Sequence, residues 1–210
     1  MRASGILMPI SSLPSPYGIG TMGAAARSFV DFLVKAGQAY WQILPVCPTS
    51  YGDSPYQSFS TFAGNPYFID LDDLAKQGLL LPEEYASIDW ECTPDCINYG
   101  VMYEKRYAVL RCAAKRLLAK PGADYRRFVK ENDFWLPDYA LFMALKAHFG
   151  MVSWTEWPEE DIRKHEPEAV EKYRAELAEE IDFQVFMQCM FFRQWNALRD
   201  YAHEQGVEFI

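Results

Sequence analysis

The chain has 210 residues, half of them apolar and 23% charged, with a formal net charge of −9. That surplus of negative charge repels phosphate backbones, no basic patch interleaved with aromatics offsets it, and nucleic acid is therefore not expected as a partner. No stretch approaches the roughly 18 uninterrupted apolar residues of a membrane span, so no membrane association is expected either.

The first ten residues lack the long apolar core and small-residue cleavage site of a secretory leader, and Pro9 interrupts them. Five scattered cysteines, Cys47, Cys92, Cys96, Cys112 and Cys189, do not make the even framework of a small secreted scaffold. The expected location is the cytoplasm. Cys92 and Cys96 have no second pair or nearby histidine to complete four ligands, so no metal is expected.

In chain order, residues 5–10 read as a short apolar strand, followed by a loop over 14–20 that proline and glycine punctuate. Residues 24–36 read as a helix with Ala25, Phe29, Phe32, Leu33 and Ala36 on one face and Gly37 just past its end. The apolar run 40–46 reads as a second strand, which Pro45 and Pro48 end. Strand, helix and strand within about forty residues make a βαβ unit, and such units are parallel.

The stretch 51–66 therefore follows a parallel strand, where α/β folds place loops that carry chemistry. It mixes Tyr51, Tyr56, Phe59 and Phe62 with Asp53, Ser54, Gln57 and Asn65. Flat apolar faces beside hydroxyl, amide and carboxylate groups suit a sugar, whose C–H face packs on an aromatic ring while its hydroxyls take directed hydrogen bonds. The same residues would also fill the interior of a compact Ω-loop.

Beyond it, 67–71 reads as a short extended piece, and Asp72 and Asp73 as the cap and start of a helical turn over 74–78. Residues 99–119 read as an amphipathic helix with Tyr103, Tyr107, Leu110, Ala114, Leu117 and Leu118 on its apolar side. A second helix starts near Pro137 and stops at Gly150, with His148 on its apolar face as a core histidine. The charged run 159–180 reads as a solvated helix face. From Ile181 a stripe of Phe183, Phe186, Met187, Met190, Phe191 and Leu198 reads as packing, and after Gly206 a further strand begins at Val207. A parallel strand that stops at Ile210 reads as a sheet whose continuation lies outside these residues.

The wording of several stretches is more specific than their pattern. Tyr51-Gly-Asp-Ser-Pro-Tyr-Gln-Ser-Phe-Ser with Ala63-Gly-Asn-Pro66 resembles the early loop of the amylomaltases, the 4-alpha-glucanotransferases or disproportionating enzymes of the alpha-amylase superfamily. The opening Ser4-Gly-Ile-Leu-Met-Pro-Ile-Ser-Ser-Leu-Pro, the strand Trp41-Gln-Ile-Leu-Pro45, the segment Asp133-Phe-Trp-Leu-Pro-Asp-Tyr and the motif Trp154-Thr-Glu-Trp-Pro158 resemble the same family in the same order.

The resemblance implies an α/β fold, the N-terminal part of a (β/α)8 barrel. Residues 1–80 would hold the first strands and the substrate loop, 81–180 a mainly helical insertion, and 181–210 a barrel helix and the start of a third strand. It implies transfer of α-1,4-glucan segments between maltooligosaccharides by a retaining double displacement without cofactor. The nucleophile and the acid/base would lie beyond Ile210. Tyr56 would stack on the sugar next to the scissile bond and Tyr51 would face a nearby glucan surface, while Asp53, Ser54, Gln57 and Asn65 would contact substrate or simply hold the loop. A non-catalytic glucan-binding module and a hydrolase of the same superfamily are the alternative readings.

Overall fold

The computed structural model describes residues 2–50, 52–93 and 95–210. Three short parallel strands, β1 (Gly5–Leu7), β2 (Tyr40–Gln42) and β3 (Glu208–Phe209), form a sheet in the order β1-β2-β3. Gly5 pairs with Tyr40, and Tyr40 with Glu208. The close approach of β1 to β2 needs a glycine, because a Cβ at position 5 would lie 2.5 Å from the Tyr40 carbonyl oxygen. Parallel pairing requires a crossover, and helix α1 (Ala24–Lys35) provides the first one.

Helix α1 ends where the sequence places its end. Gly37, at φ +66, lets its own N–H reach the Val34 carbonyl at 3.0 Å and the Gln38 N–H reach the Leu33 carbonyl at 2.9 Å, which satisfies two otherwise orphaned groups. Its buried face differs from the expected one: Ala26, Val30 and Leu33 are buried, and Phe32 is 51% exposed. Apolar residues cover most of this helix, so periodicity alone does not choose which of them faces inward.

Trp41 is the centre of the sheet's packing. It is fully buried, donates its indole N–H to the Met8 carbonyl at 2.8 Å, and lies 4.8 Å from Phe29 and 5.1 Å from Phe209, ring centre to ring centre. An aromatic buried this completely stabilises the fold by roughly 1.5–3 kcal/mol.

The first two strands are shorter than their apolar runs. After β1 the chain passes through Pro9 into a 3-10 turn at Ile10–Ser12. Past β2 the pairing persists in the Ile43 N–H to Ile210 carbonyl bond. The piece expected to be extended at 67–71 is instead a 3-10 turn, Pro66–Phe68, followed directly by helix α2 (Leu71–Lys76). Side-chain caps account for both: Asn65 accepts from the Tyr67 N–H, and Asp70 from the Asp73 N–H, so Asp70 caps the helix and Asp72 and Asp73 occupy its first turn.

Helix α3 (Tyr99–Val101) runs through a π turn, Met102–Arg106, into α4 (Tyr107–Ala119). The remaining helices are α5 (Ala123–Glu131), α6 (Leu136–His148), α7 (Glu160–Arg163), α8 (Pro167–Glu176) and α9 (Ala178–Glu204). Helix α5 has no counterpart in the sequence reading, since it buries no residue. The charged run is broken into α7, α8 and the start of α9, with Pro167 opening α8 and His165 at φ +57 between α7 and α8. In α9 all six residues of the expected stripe are buried.

The chain divides into two compact units, Met1–Leu117 with Met190–Ile210, and Leu118–Cys189. The first holds the sheet. The second has its own core of Leu141, Leu145, Trp157, Ile162, Ala169 and Tyr173. His148, which its spacing assigns to the apolar face, is exposed at the rim, edge-on to Phe149 and Tyr173, at the last residue of α6. Lys146 is buried there and donates to the carbonyls of Met151 and Val152, and burial pushes its pKa down. Among the described residues no helix is long and apolar enough to cross a membrane, and no three His, Cys, Asp or Glu side chains form a group able to hold a metal.

Candidate functional site

The loop after β2 is a closed structure built from its own backbone. An antiparallel bridge joins Thr49 to Ser58, the Ser50 N–H donates to the Gln57 carbonyl at 3.1 Å, and the Asn65 N–H donates to the Val46 carbonyl at 2.8 Å. Its tip turns through Gly52 at φ +81 and Asp53 at φ +54, a conformation aspartate tolerates better than most side chains.

The sequence-predicted residues divide by position. Tyr56 stands at the tip with its ring 75% exposed, and its N–H is held by the Ser54 hydroxyl at 3.3 Å. Gln57 is exposed beside it, and its backbone closes the turn to Ser54 and Ser50. Asp53 is half-buried and accepts from the Thr49 hydroxyl at 3.4 Å, and burial pushes its carboxyl pKa up. Asn65 is buried and is occupied as a cap, accepting from the Tyr67 N–H at 3.0 Å. Tyr51 lies outside the described residues.

Asp53 faces a group of tyrosines that the sequence reading did not assemble. Its charge, second to burial, raises the pKa of both Tyr67 and Tyr99. Tyr67 lies 6.0 Å from Tyr99 and 6.0 Å from Tyr107, and Tyr107 lies 5.2 Å from Tyr103. The signal is present as tyrosines at positions 99, 103 and 107, but amphipathic periodicity assigns Tyr103 and Tyr107 to the apolar face of a helix that Tyr99 merely begins.

Behind the loop, a polar network ties three segments together. Asp70, 7% exposed, accepts from the Thr21 hydroxyl at 2.6 Å, and its backbone N–H and carbonyl pair with both amide atoms of Gln194 at 2.6 and 3.1 Å. Asp72 accepts from the hydroxyls of Tyr17 at 2.6 Å and Tyr85 at 2.8 Å. Arg106, fully buried, donates to the carbonyls of Tyr17 and Ile69 with Trp90 under its guanidinium, and burial brings its pKa down to about 10 against the attraction of Asp70. These bonds fix the loop after β1 to the exit of the loop after β2.

A cavity of 710 Å³ opens between 11–20 and 88–97, and among the described residues none of 52–66 lines it. The candidate loop is a projecting surface. It offers an exposed ring, a carboxylate and hydroxyls, a set suited to a neutral polyhydroxyl ligand.

A family model described as 4-alpha-glucanotransferase matches residues 8–210. The chain is 48% identical to a 4-alpha-glucanotransferase from Clostridium butyricum over 203 residues, 97% of this chain and 42% of that protein. It is 44% identical to one from Thermus thermophilus over 213 residues, 100% of this chain and 41% of that protein. The structure superposes on an amylomaltase from Streptococcus agalactiae, solved in complex with acarbose, with a TM-score of 0.96 at 43% identity, covering all of this chain and 42% of that one. A Corynebacterium glutamicum amylomaltase, at 19% identity and a TM-score of 0.73, shares the fold. The chain thus spans only 41–42% of the length of the Clostridium, Thermus and Streptococcus proteins. With nearly its whole length matched by the family model, the chain belongs to the 4-alpha-glucanotransferase family.

Proposed function

We propose that the protein from which this sequence comes transfers α-1,4-glucan segments between maltooligosaccharides. Three parallel strands and their crossover would then be the first part of a (β/α)8 barrel, with 81–180 as a helical insertion, working in the cytoplasm. A carboxylate attacks the anomeric carbon and displaces the leaving sugar, which a second carboxylic acid protonates. The glycosyl-enzyme is then taken by a sugar hydroxyl in place of water, with the same carboxyl now acting as base, so configuration is retained. In this reading both carboxyl groups lie outside the 210 residues, and no Asp or Glu of the chain takes their place.

What this chain contributes is substrate contact. The observation that carries the reading is Tyr56, an aromatic ring 75% exposed on a turn that hydrogen bonds hold, in a chain of this family. Exposing a flat ring costs stability unless a ligand covers it, and a glucose C–H face is such a cover. Tyr56 and Tyr51 are assigned to stacking. Asp53, Ser54 and Gln57 are assigned to hydroxyl contacts or to holding the tip, and Asn65 to the loop's exit.

The test is maltotriose as the sole sugar, given to the protein at the full length of its relatives. Longer and shorter products together establish transfer. Shorter products alone would make it a hydrolase, and unchanged sugar a binding module.

A further inference from the structure

The loop over 46–66 stands on a base that helix α9 holds. At the base the Asn65 N–H donates to the Val46 carbonyl at 2.8 Å, and nearer the tip the Thr49–Ser58 bridge and the Ser50 to Gln57 bond tie the two limbs together. A segment laced by its own hydrogen bonds moves as a unit, so the place of the tip follows from the place of the base.

Two residues about one turn apart on α9 set that base. A Cβ at Gly64 would lie 2.0 Å from the Phe191 ring, so the ring bears directly on the loop's backbone. One turn on, Gln194 is 4% exposed; its side-chain oxygen accepts from the Asp70 N–H at 2.6 Å, and its NH2 donates to the Asp70 carbonyl at 3.1 Å. Asn65, which closes the base, lies in the chain between these two contacts. The Asp70 carboxylate also accepts from the Thr21 hydroxyl, so the same residue ties the loop after β1 to the exit of the loop after β2. Apolar packing is non-directional and lets surfaces slide, whereas an amide with both of its atoms engaged on one backbone residue fits in one register only.

We propose that Gln194 is a positioning residue: through Asp70 it fixes the base of the 46–66 loop, and so the place of the Tyr56 ring against the sugar. This rests on the reading of Tyr56 given above. Contacts that depend on orientation lose most of their value on a small shift, and a misplacement of about 1 Å can cost about 100-fold in rate.

The experiment measures transfer from maltotriose, at the full length of the family, for wild type, Gln194→Met, Tyr56→Ala and the double variant, well below the unfolding midpoint of each. Methionine keeps the length and bulk of the side chain and removes both bonds to Asp70. Gln194→Met should lower kcat/KM about tenfold when Tyr56 is present and less than about twofold in the Tyr56→Ala background, because a ring that is absent cannot be misplaced. A role confined to holding the fold together would lower kcat/KM by the same factor in both backgrounds. That result, or unchanged kinetics in Gln194→Met, overturns the proposal while leaving the transferase reading intact. Wild type that leaves maltotriose unchanged, or Tyr56→Ala with wild-type kinetics, overturns the reading beneath the proposal, and the proposal with it. If methionine fails to fold, Gln194→Asn, whose amide is one methylene short of Asp70, is read in the same two backgrounds by the same criterion.

Discussion

Replacing Asp70 with alanine should be among the most damaging single changes in the first unit. The carboxylate makes two bonds that alanine cannot: it caps α2 through the Asp73 N–H at 2.9 Å and accepts from the Thr21 hydroxyl at 2.6 Å. Its charge also favours the cationic form of the fully buried Arg106. Losing the cap costs about 1 kcal/mol, and losing a buried hydrogen bond to a charged group about 1.5–3 kcal/mol. Leaving a buried cation less well compensated adds to both, so the total is roughly 3–5 kcal/mol. Asparagine keeps the cap through its one amide oxygen but puts an NH2 where the Thr21 hydroxyl donates, so Asp70→Asn should lose the charge and the Thr21 bond as it stands, and cost roughly 1.5–3 kcal/mol. Urea denaturation checks this, read as a shift in midpoint at constant slope. An Asp70→Ala cost below about 1 kcal/mol would refute the network argument, and an Asp70→Asn cost equal to that of alanine would show that the cap contributes nothing.

The other expectations concern ring, glycine and phenol. Tyr56→Ala should leave stability within about 0.5 kcal/mol of wild type, since the ring is exposed, and lower glucan transfer tenfold or more by removing about 1–3 kcal/mol of sugar contact. Unchanged kinetics with maltotriose would return that ring to the loop. Gly64→Ala places a Cβ 2.0 Å from the Phe191 ring and should cost about 1–3 kcal/mol in denaturation, with partial recovery when Phe191→Leu is added; additive effects of the two changes would contradict the contact. Burial and then the bond to Asp72 push Tyr85 up to about 12 and Tyr17 also upward, so both phenols stay neutral in the folded protein while unfolded ones ionise near 10. The stability they confer is complete below about pH 10 and is lost as pH rises through about 12. Denaturation midpoints that stay flat over that window would exclude the linkage, and Asp72→Asn should make the decline shallower.

Much of the scaffold was legible because its signals are local. Gly37 and Gly206 stop helices through positive φ, Pro137 opens one, and the Phe and Met stripe of α9 has enough length for its period to be unambiguous. The wording of the loop's residues points to the family that the match shows, while the roles of those residues belong to the proposed function. The features that stayed hidden depend on partners distant in sequence. Arg106 is fully buried because the carbonyls of Tyr17 and Ile69 converge on it, and no window around position 106 contains either. The exposure of Tyr103 comes from a π turn, which a fixed 3.6-residue period cannot represent. Asp70 takes the cap expected of its neighbours because Asn65 and Pro66 set the chain into a 3-10 turn just ahead of it.

The pair of phenols on Asp72 bears on how the family can drift. One carboxylate serves two donors, Tyr17 and Tyr85, that come from segments 68 residues apart and pack edge to face with ring centres 5.2 Å apart. Either tyrosine can be exchanged for phenylalanine while the other keeps the acid occupied, so single losses should be common among descendants. The acid itself has no such freedom, because an apolar residue at 72 strands both hydroxyls at once. Lineages that lack it should therefore lack both phenols as well, and the three positions should turn over as a set.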